Sequence, residues 1–336
     1  MTNNEQHTPL LSVDHLVTEF SAKGNKSITV VDDVSFTVNP GEIVAIVGES
    51  GSGKSITSQS IMGLLKSGGS ITNGSIHYQG SNILTLSKKE RRQLRGKEMS
   101  MIFQEPMSSL NPMLRIKSQI AEALRINQPS KSKRETMDNA IDLLKQVEIP
   151  DAEAVANRFP HQLSGGMRQR VMIAIALAGD PKLLIADEPT TALDVTTQAQ
   201  ILALIKDLNK RNGTGVIFIT HDLSVVADIA DRVLVMYAGK IVESATVYDL
   251  FEHPQHPYTI GLMKAMPTLD SQVEELEPIS GNAPNLANKP EGCAFYPRCP
   301  FATEACLTAV PELRTLEKGH DVRCIHPVKE GVLHEK

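Results

Sequence analysis

The sequence predicts an α/β fold: a mainly parallel buried sheet with helices on both faces, an inserted helical subdomain, and a small loop-rich C-terminal cysteine domain. Three observations carry this. Short apolar runs, "IVAIV" (43–47), "MSMIF" (99–103), "LLIAD" (183–187), "VIFIT" (216–220) and "VLVMY" (233–237), have strand length and alternate with helical stretches, the pattern of a sheet covered on both faces. From about 108 to 180 helical patterns take over from the strand-like runs. Finally, Cys293, Cys299, Cys306 and Cys324 are the only four cysteines, and all fall in a tail rich in Pro and Gly.

A chain of 336 residues has room for about two domains. With 41% hydrophobic residues, 22% charged residues and a formal charge of -5, it has an ordinary soluble composition, which argues against nucleic acid as a partner. No apolar run approaches the roughly 18 residues of a membrane span, and the N-terminal stretch lacks the basic and apolar regions of a signal peptide. The expectation is a chain kept in the cytosol, where clustered cysteines are more often metal ligands than disulfides.

The first strand runs into "GESGSGKS", with Gly48, Glu49, Ser50, Gly51, Ser52, Gly53, Lys54 and Ser55 placed before the helical "ITSQSIMGLL". Glycines at this spacing let backbone N–H groups and a helix N-terminus face phosphate, Lys54 reach the β- and γ-phosphates, and Ser55 offer a hydroxyl to Mg2+. The basic runs "KKERRQLRGK" and "KSKRE" have no interleaved aromatics and read as solvated faces. "IKSQIAEALRI" and "TMDNAIDLLKQV" supply the helical subdomain. In "LSGGMRQR", Ser164, Gly165 and Gly166 present a second phosphate-directed hydroxyl and N–H cluster, opening the apolar helix "VMIAIALA". One nucleotide does not need two such clusters, so the second is assigned to a partner's nucleotide.

"LLIADEP" ends a buried strand with Asp187 and Glu188. Beside a phosphate loop, the first carboxylate suits Mg2+ and the second can accept a proton from water. "TTQAQILALIKDLNKRNG" places Ile201, Leu204, Ile205 and Leu208 at helical period, with Gly213 as its stop. "YAGKIVESA" predicts a hairpin turning at Ala238 and Gly239. The domain boundaries expected are a phosphate-loop sheet domain over 1–266, with its helical subdomain at about 108–180, and an appendage over 267–336.

With these motifs in this order, the sequence resembles the ATP-binding cassette family over roughly residues 11–250. "MIFQEPMSSLNPM", "HPQHPYTIGLMKAMP" and the cysteine tail narrow the resemblance to ATPase subunits of bacterial dipeptide and oligopeptide importers. The resemblance implies that Gln104 touches Mg2+ and the attacking water and that His221 contacts the γ-phosphate. It also implies that Phe20 stacks on adenine, that Gln169 belongs to the signature serving the partner's ATP, and that Asp194 crosses the dimer interface. Met107, Leu110 and Met113 are expected to line a groove for a permease helix. The partners implied are a second, related but distinct ATPase, two membrane permeases and an extracellular solute-binding protein. The site of action is the cytoplasmic face of the cell membrane, peripherally bound. Nickel or another small solute is the alternative cargo, and a soluble non-transport ATPase or a redox sensor the rival class.

The cysteine spacing is C-x5-C-x6-C-x17-C. Four thiolates can hold an iron-sulfur cluster or tetrahedral Zn2+. The tight knuckles usual for structural zinc are absent, Pro300 follows Cys299, and similar tails in peptide-importer ATPases point to [4Fe-4S], with zinc as the alternative.

Overall fold

The computed structural model describes residues 8–21, 26–105, 109–191, 193–265, 279–317 and 319–328. They fall into two compact units. One is drawn from Met1–Leu10, Val38–Glu42 and Gln79–Phe218, the other from Leu11–Thr37, Ile43–Tyr78 and Ile219–Lys336. The expected boundary at 266/267 lies outside the described residues.

In the first unit, Met99–Ile102 pairs parallel with Leu183–Asp187, from Met99 opposite Leu183 to Ile102 opposite Ala186. Gly215–Thr220 runs beside Leu183–Asp187. Every residue of these strands is buried, as expected for sheet centres covered on both faces. The helical part comprises Ile116–Asn127, Lys133–Gln146, Ala152–Ala156 and Gly165–Leu177. Ser132 opens the second of these with a capping box closed by Glu135, which satisfies two N-terminal N–H groups reciprocally. The basic run Lys88–Leu94 is a helix without a buried residue, so its charges are solvated.

In the second unit, Ile43–Val47 pairs parallel with Arg232–Tyr237, and the latter turns back antiparallel into Lys240–Thr246. Ala238 and Gly239, with φ of 50° and 89°, give this two-residue hairpin the left-handed turn that matches strand twist. Two features were not foreseen from the sequence. Leu11–Ser21 pairs antiparallel with Gly69–Tyr78, with bulges near Val17. And the tail adds strands to the hairpin: His320–Val322 pairs with Lys240–Thr246, and Arg314–Glu317 pairs with His320–Val322. The core beneath joins Val47, Val233, Val235, Val226 and Leu250 to Tyr237, Tyr258 and Phe295. The three rings pack with centroids 4.6–5.4 Å apart, tilted or edge-on as aromatic quadrupoles prefer.

Candidate nucleotide site

The phosphate loop lies between Ile43–Val47 and the helix Lys54–Met62. Its glycines are required by space. A Cβ on Gly48 would lie 2.2 Å from the carbonyl oxygen of Met236, and Gly53 adopts φ 107° with the Val30 carbonyl 2.9 Å from such a Cβ. The helix that follows starts at Gly53 without a side-chain cap, and a helix N-terminus directed at a loop of this kind favours an anion. Lys54 folds back over the loop, its Nζ donating to the carbonyls of Gly48 at 2.6 Å and Glu49 at 2.9 Å. Ser52 Oγ is buried without a hydrogen-bond partner. A bare glycine cradle, an uncapped helix start, a buried lysine and an orphaned hydroxyl together fit a polyphosphate.

Glu49 is held more extensively than its place in a loop predicts. Its N–H donates to Tyr258 Oη at 2.8 Å. Its carboxylate accepts two bonds from Arg298, at 2.7 and 2.8 Å. Neither partner was identified from sequence, because contacts over more than 200 positions leave no local signal. Phe20, half-buried, lies against Gly69, where a Cβ would stand 2.7 Å from its ring. His221 is exposed just beyond Gly215–Thr220.

In the other unit, the structure brings Gln104 and Glu188 together: Gln104 Nε2 donates to Glu188 Oε2 at 2.9 Å, and Thr191 Oγ1 donates to the same oxygen at 2.9 Å. Asp187 is buried at the strand end. Ser164 is exposed and caps Gly165–Leu177, its Oγ accepting from Met167 N. Beside it Gly165 opens on free space. Gln169, expected in the signature that serves the partner's ATP, is buried, and its amide donates to the Pro189 carbonyl at 2.6 Å, bracing the carboxylate-bearing turn. Asp194 is the N-cap of Val195–Asn212, both carboxylate oxygens engaged by Thr197. The Thr197 N–H bond, then its hydroxyl, holds this carboxyl below the usual range. Of the expected groove residues, Leu110 is core at 3% exposure and Met113 stands out at 81%. Met107 lies outside the described residues.

Cys293, Cys299, Cys306 and Cys324 line one cavity of about 20 Å³ together with His256, Phe295 and Phe301, room for about one water. All four thiols are free. Burial, reinforced by neighbouring sulfurs, raises the thiols of Cys293, Cys299 and Cys324, the last to about 11. The expected metal geometry is not met: among the described residues no group of three or more His, Cys, Asp or Glu is arranged to hold a metal ion. The four cysteines thus line one cavity without standing in a ligating arrangement.

The family described as ABC transporter matches residues 31–191, and the one described as oligopeptide/dipeptide transporter, C-terminal region, matches residues 242–306. The oligopeptide transport ATP-binding protein AppD of Bacillus subtilis is 52% identical over 96% of this chain and 98% of its own. A putative peptide import ATP-binding protein of Brucella melitensis is 51% identical over 94% and 97%. Among solved structures, the ATP-binding cassette MJ0796 in a dimeric post-hydrolysis state with ADP and Pi superposes with a TM-score of 0.64 at 30% identity, covering 70% of this chain and 98% of that one. With the phosphate loop, the Asp187–Glu188 strand end and the Ser164 helix start in place, the chain belongs to the ABC transporter ATPases, in the group that carries the oligopeptide/dipeptide transporter C-terminal region.

Proposed function

We propose that this chain is the ATP-hydrolysing subunit of an importer of dipeptides or oligopeptides, acting at the cytoplasmic face of the cell membrane. The observation that carries the enzymatic part is the Gln104–Glu188 pair at the end of a buried strand, in a chain that also carries a glycine cradle for polyphosphate. The peptide assignment rests on the C-terminal family match and on what the relatives are named for. Among the described residues no helix is long and apolar enough to cross a membrane.

The roles follow from the side chains. Lys54 and the loop N–H groups bind phosphate, and Phe20 supplies an apolar face for the base. Ser55, Asp187 and Gln104 are oxygen donors for Mg2+, which when bound neutralises phosphate charge. Glu188 takes a proton from the attacking water through a carboxylate oxygen that Gln104 now holds in place. His221 donates to the γ-phosphate. Ser164, Gly165 and Gly166 serve a nucleotide on a second, related but distinct ATPase, with Asp194 at that interface. Two permeases and an extracellular binding protein complete the assembly, and the exposed Met113 is the contact to a permease loop. A cysteine at Ser109 should crosslink to that loop; crosslinks only within the ATPase would remove the contact.

The decisive experiment reconstitutes the chain with its permeases and partner ATPase in vesicles. Binding protein loaded with peptide should stimulate ATP hydrolysis and uptake. Stimulation by a nickel-loaded binding protein instead would favour the alternative cargo. We assign 1–266 to the cassette, with a helical subdomain at about 108–180, and 267–336 to the appendage.

For the tail, the finer reading is a [4Fe-4S] cluster on Cys293, Cys299, Cys306 and Cys324. Its support is their convergence on one cavity and the affinity of thiolates for iron-sulfur centres, and no catalytic step depends on it. Protein purified without oxygen should be brown, with about four iron and four sulfide per chain. A colourless chain with one zinc would replace the iron assignment, and one with no metal would remove both.

A further inference from the structure

Three of the contacts that fix Glu49 come from the same unit but from distant parts of the sequence. Its carbonyl accepts from Lys54 Nζ and from the N–H of Ser52 at 3.2 Å, both within the loop. Its N–H and carboxylate are held by Tyr258, in the helix Pro257–Lys264, and by Arg298, in the turn Tyr296–Arg298. Neither holder can easily move. Tyr258 is fully buried in the ring cluster with Tyr237 and Phe295. The Arg298 side chain is 6% exposed. Its Nε donates to the Ser280 carbonyl at 2.9 Å and a terminal nitrogen to the Ile279 carbonyl at 3.3 Å, and its guanidinium lies 5.9 Å from the Tyr237 ring centre.

A bidentate arginine–carboxylate pair fixes direction as well as distance, and a phenol hydroxyl on the same residue's N–H fixes the peptide plane. Glu49 adjoins Gly48, whose backbone already lies against the Met236 carbonyl. The loop therefore cannot relax on that side without breaking one of these bonds. A loop held in shape before phosphate arrives does not lose that freedom on binding, which strengthens affinity.

We infer that Tyr258 and Arg298 are positioning residues for the phosphate loop, acting through Glu49, so that the C-terminal region sets the chain's affinity for nucleotide. This rests on the phosphate-loop reading proposed above. The role is one of affinity, since the bonds of both residues reach the phosphate loop through Glu49.

The test is binding of a fluorescent ATP analogue, mant-ATP with Mg2+, to the full chain. Arg298→Ala and Glu49→Gln should each raise Kd about tenfold, which corresponds to about 1.4 kcal/mol. The double variant should be no weaker than the weaker single, because both remove one pair. Tyr258→Phe, which deletes a single oxygen from a ring that stays packed, should raise Kd in the same direction and carries the test alone should the Arg298 variants not fold. In the assembled transporter, Arg298→Ala and Tyr258→Phe should raise KM for ATP while kcat stays within about threefold. Loss of folded protein alone gives a different signature, fewer moles bound at an unchanged Kd, and that result overturns the proposal. So do Kd values within twofold of the parent, or effects of Arg298→Ala and Glu49→Gln that add. Parent protein that binds no mant-ATP, or Lys54→Ala that binds it as well as the parent, would overturn the phosphate-loop reading and the clamp with it.

Discussion

Glu188 sits at φ 48°, a left-handed conformation that a residue with a Cβ adopts at some cost. The strand Leu183–Asp187 ends just before it, and the turn is braced by Gln169 on the Pro189 carbonyl. The strain thus has a structural counterweight, and it aims one carboxylate oxygen at Gln104 and Thr191. Glu188→Gln keeps the shape and an acceptor oxygen but cannot take a proton. Turnover in the full complex should fall at least about a hundredfold while ATP binding is kept, the lower range for loss of a general base. Near-normal turnover would assign the proton elsewhere.

At the scale of elements, the tail strand His320–Val322 is tied to the hairpin strand Lys240–Thr246 by more than its backbone. Glu243 is fully buried and accepts from the N–H groups of Gln255 and His256, and His320 Nε2 lies 2.8 Å from it. Burial alone would lower the His320 pKa and is the largest single influence. The hydrogen bond and charge of Glu243, with the charges of Asp249 and Glu317, together outweigh it, so the net shift is upward from 6.5. A raised histidine pKa means the folded state holds its proton more tightly than the unfolded one. The contribution is whole below pH 6.5 and is lost as pH rises through the raised value. Stability to urea should therefore decline above pH 6.5, and His320→Gln should flatten that decline. An unchanged slope would show that His320 does not carry it.

The same element shows what sequence can and cannot reveal. The strands 43–47, 183–187 and 232–237 were legible because full burial writes continuous apolar runs, and the loop after the first because phosphate binding fixes glycine spacing. His320–Val322 is three residues long, too short for any periodicity, and its partner is some eighty positions away. Arg298 meets Glu49 across 249 positions, so no local signal marks it either. The bonds of Gln169 to the Pro189 carbonyl and of Asp194 to Thr197 are details that motif position alone does not encode. The cysteines were legible as a cluster in sequence and do meet at one cavity, but spacing does not report whether their sulfurs stand at ligating distances.

For the whole molecule, the proposed role of the exposed Ser164 helix start toward a partner's nucleotide implies that each active site depends on a second chain. Preorganised donors supply most of the acceleration in phosphoryl transfer. The isolated monomer, verified by light scattering, should hydrolyse ATP far more slowly than the assembled transporter; equal rates would refute a shared site. The two short tail strands have a consequence of another kind. Lys240–Thr246 has buried residues at every position from Ile241 to Ala245, and a strand like that at a sheet's edge is a template for any passing chain. His320–Val322 covers it, and the outermost strand becomes Arg314–Glu317, four exposed residues with a charge at each end. Such an edge offers a newcomer little to bury and two charges to desolvate, so the tail keeps the protein from sticking to its own copies.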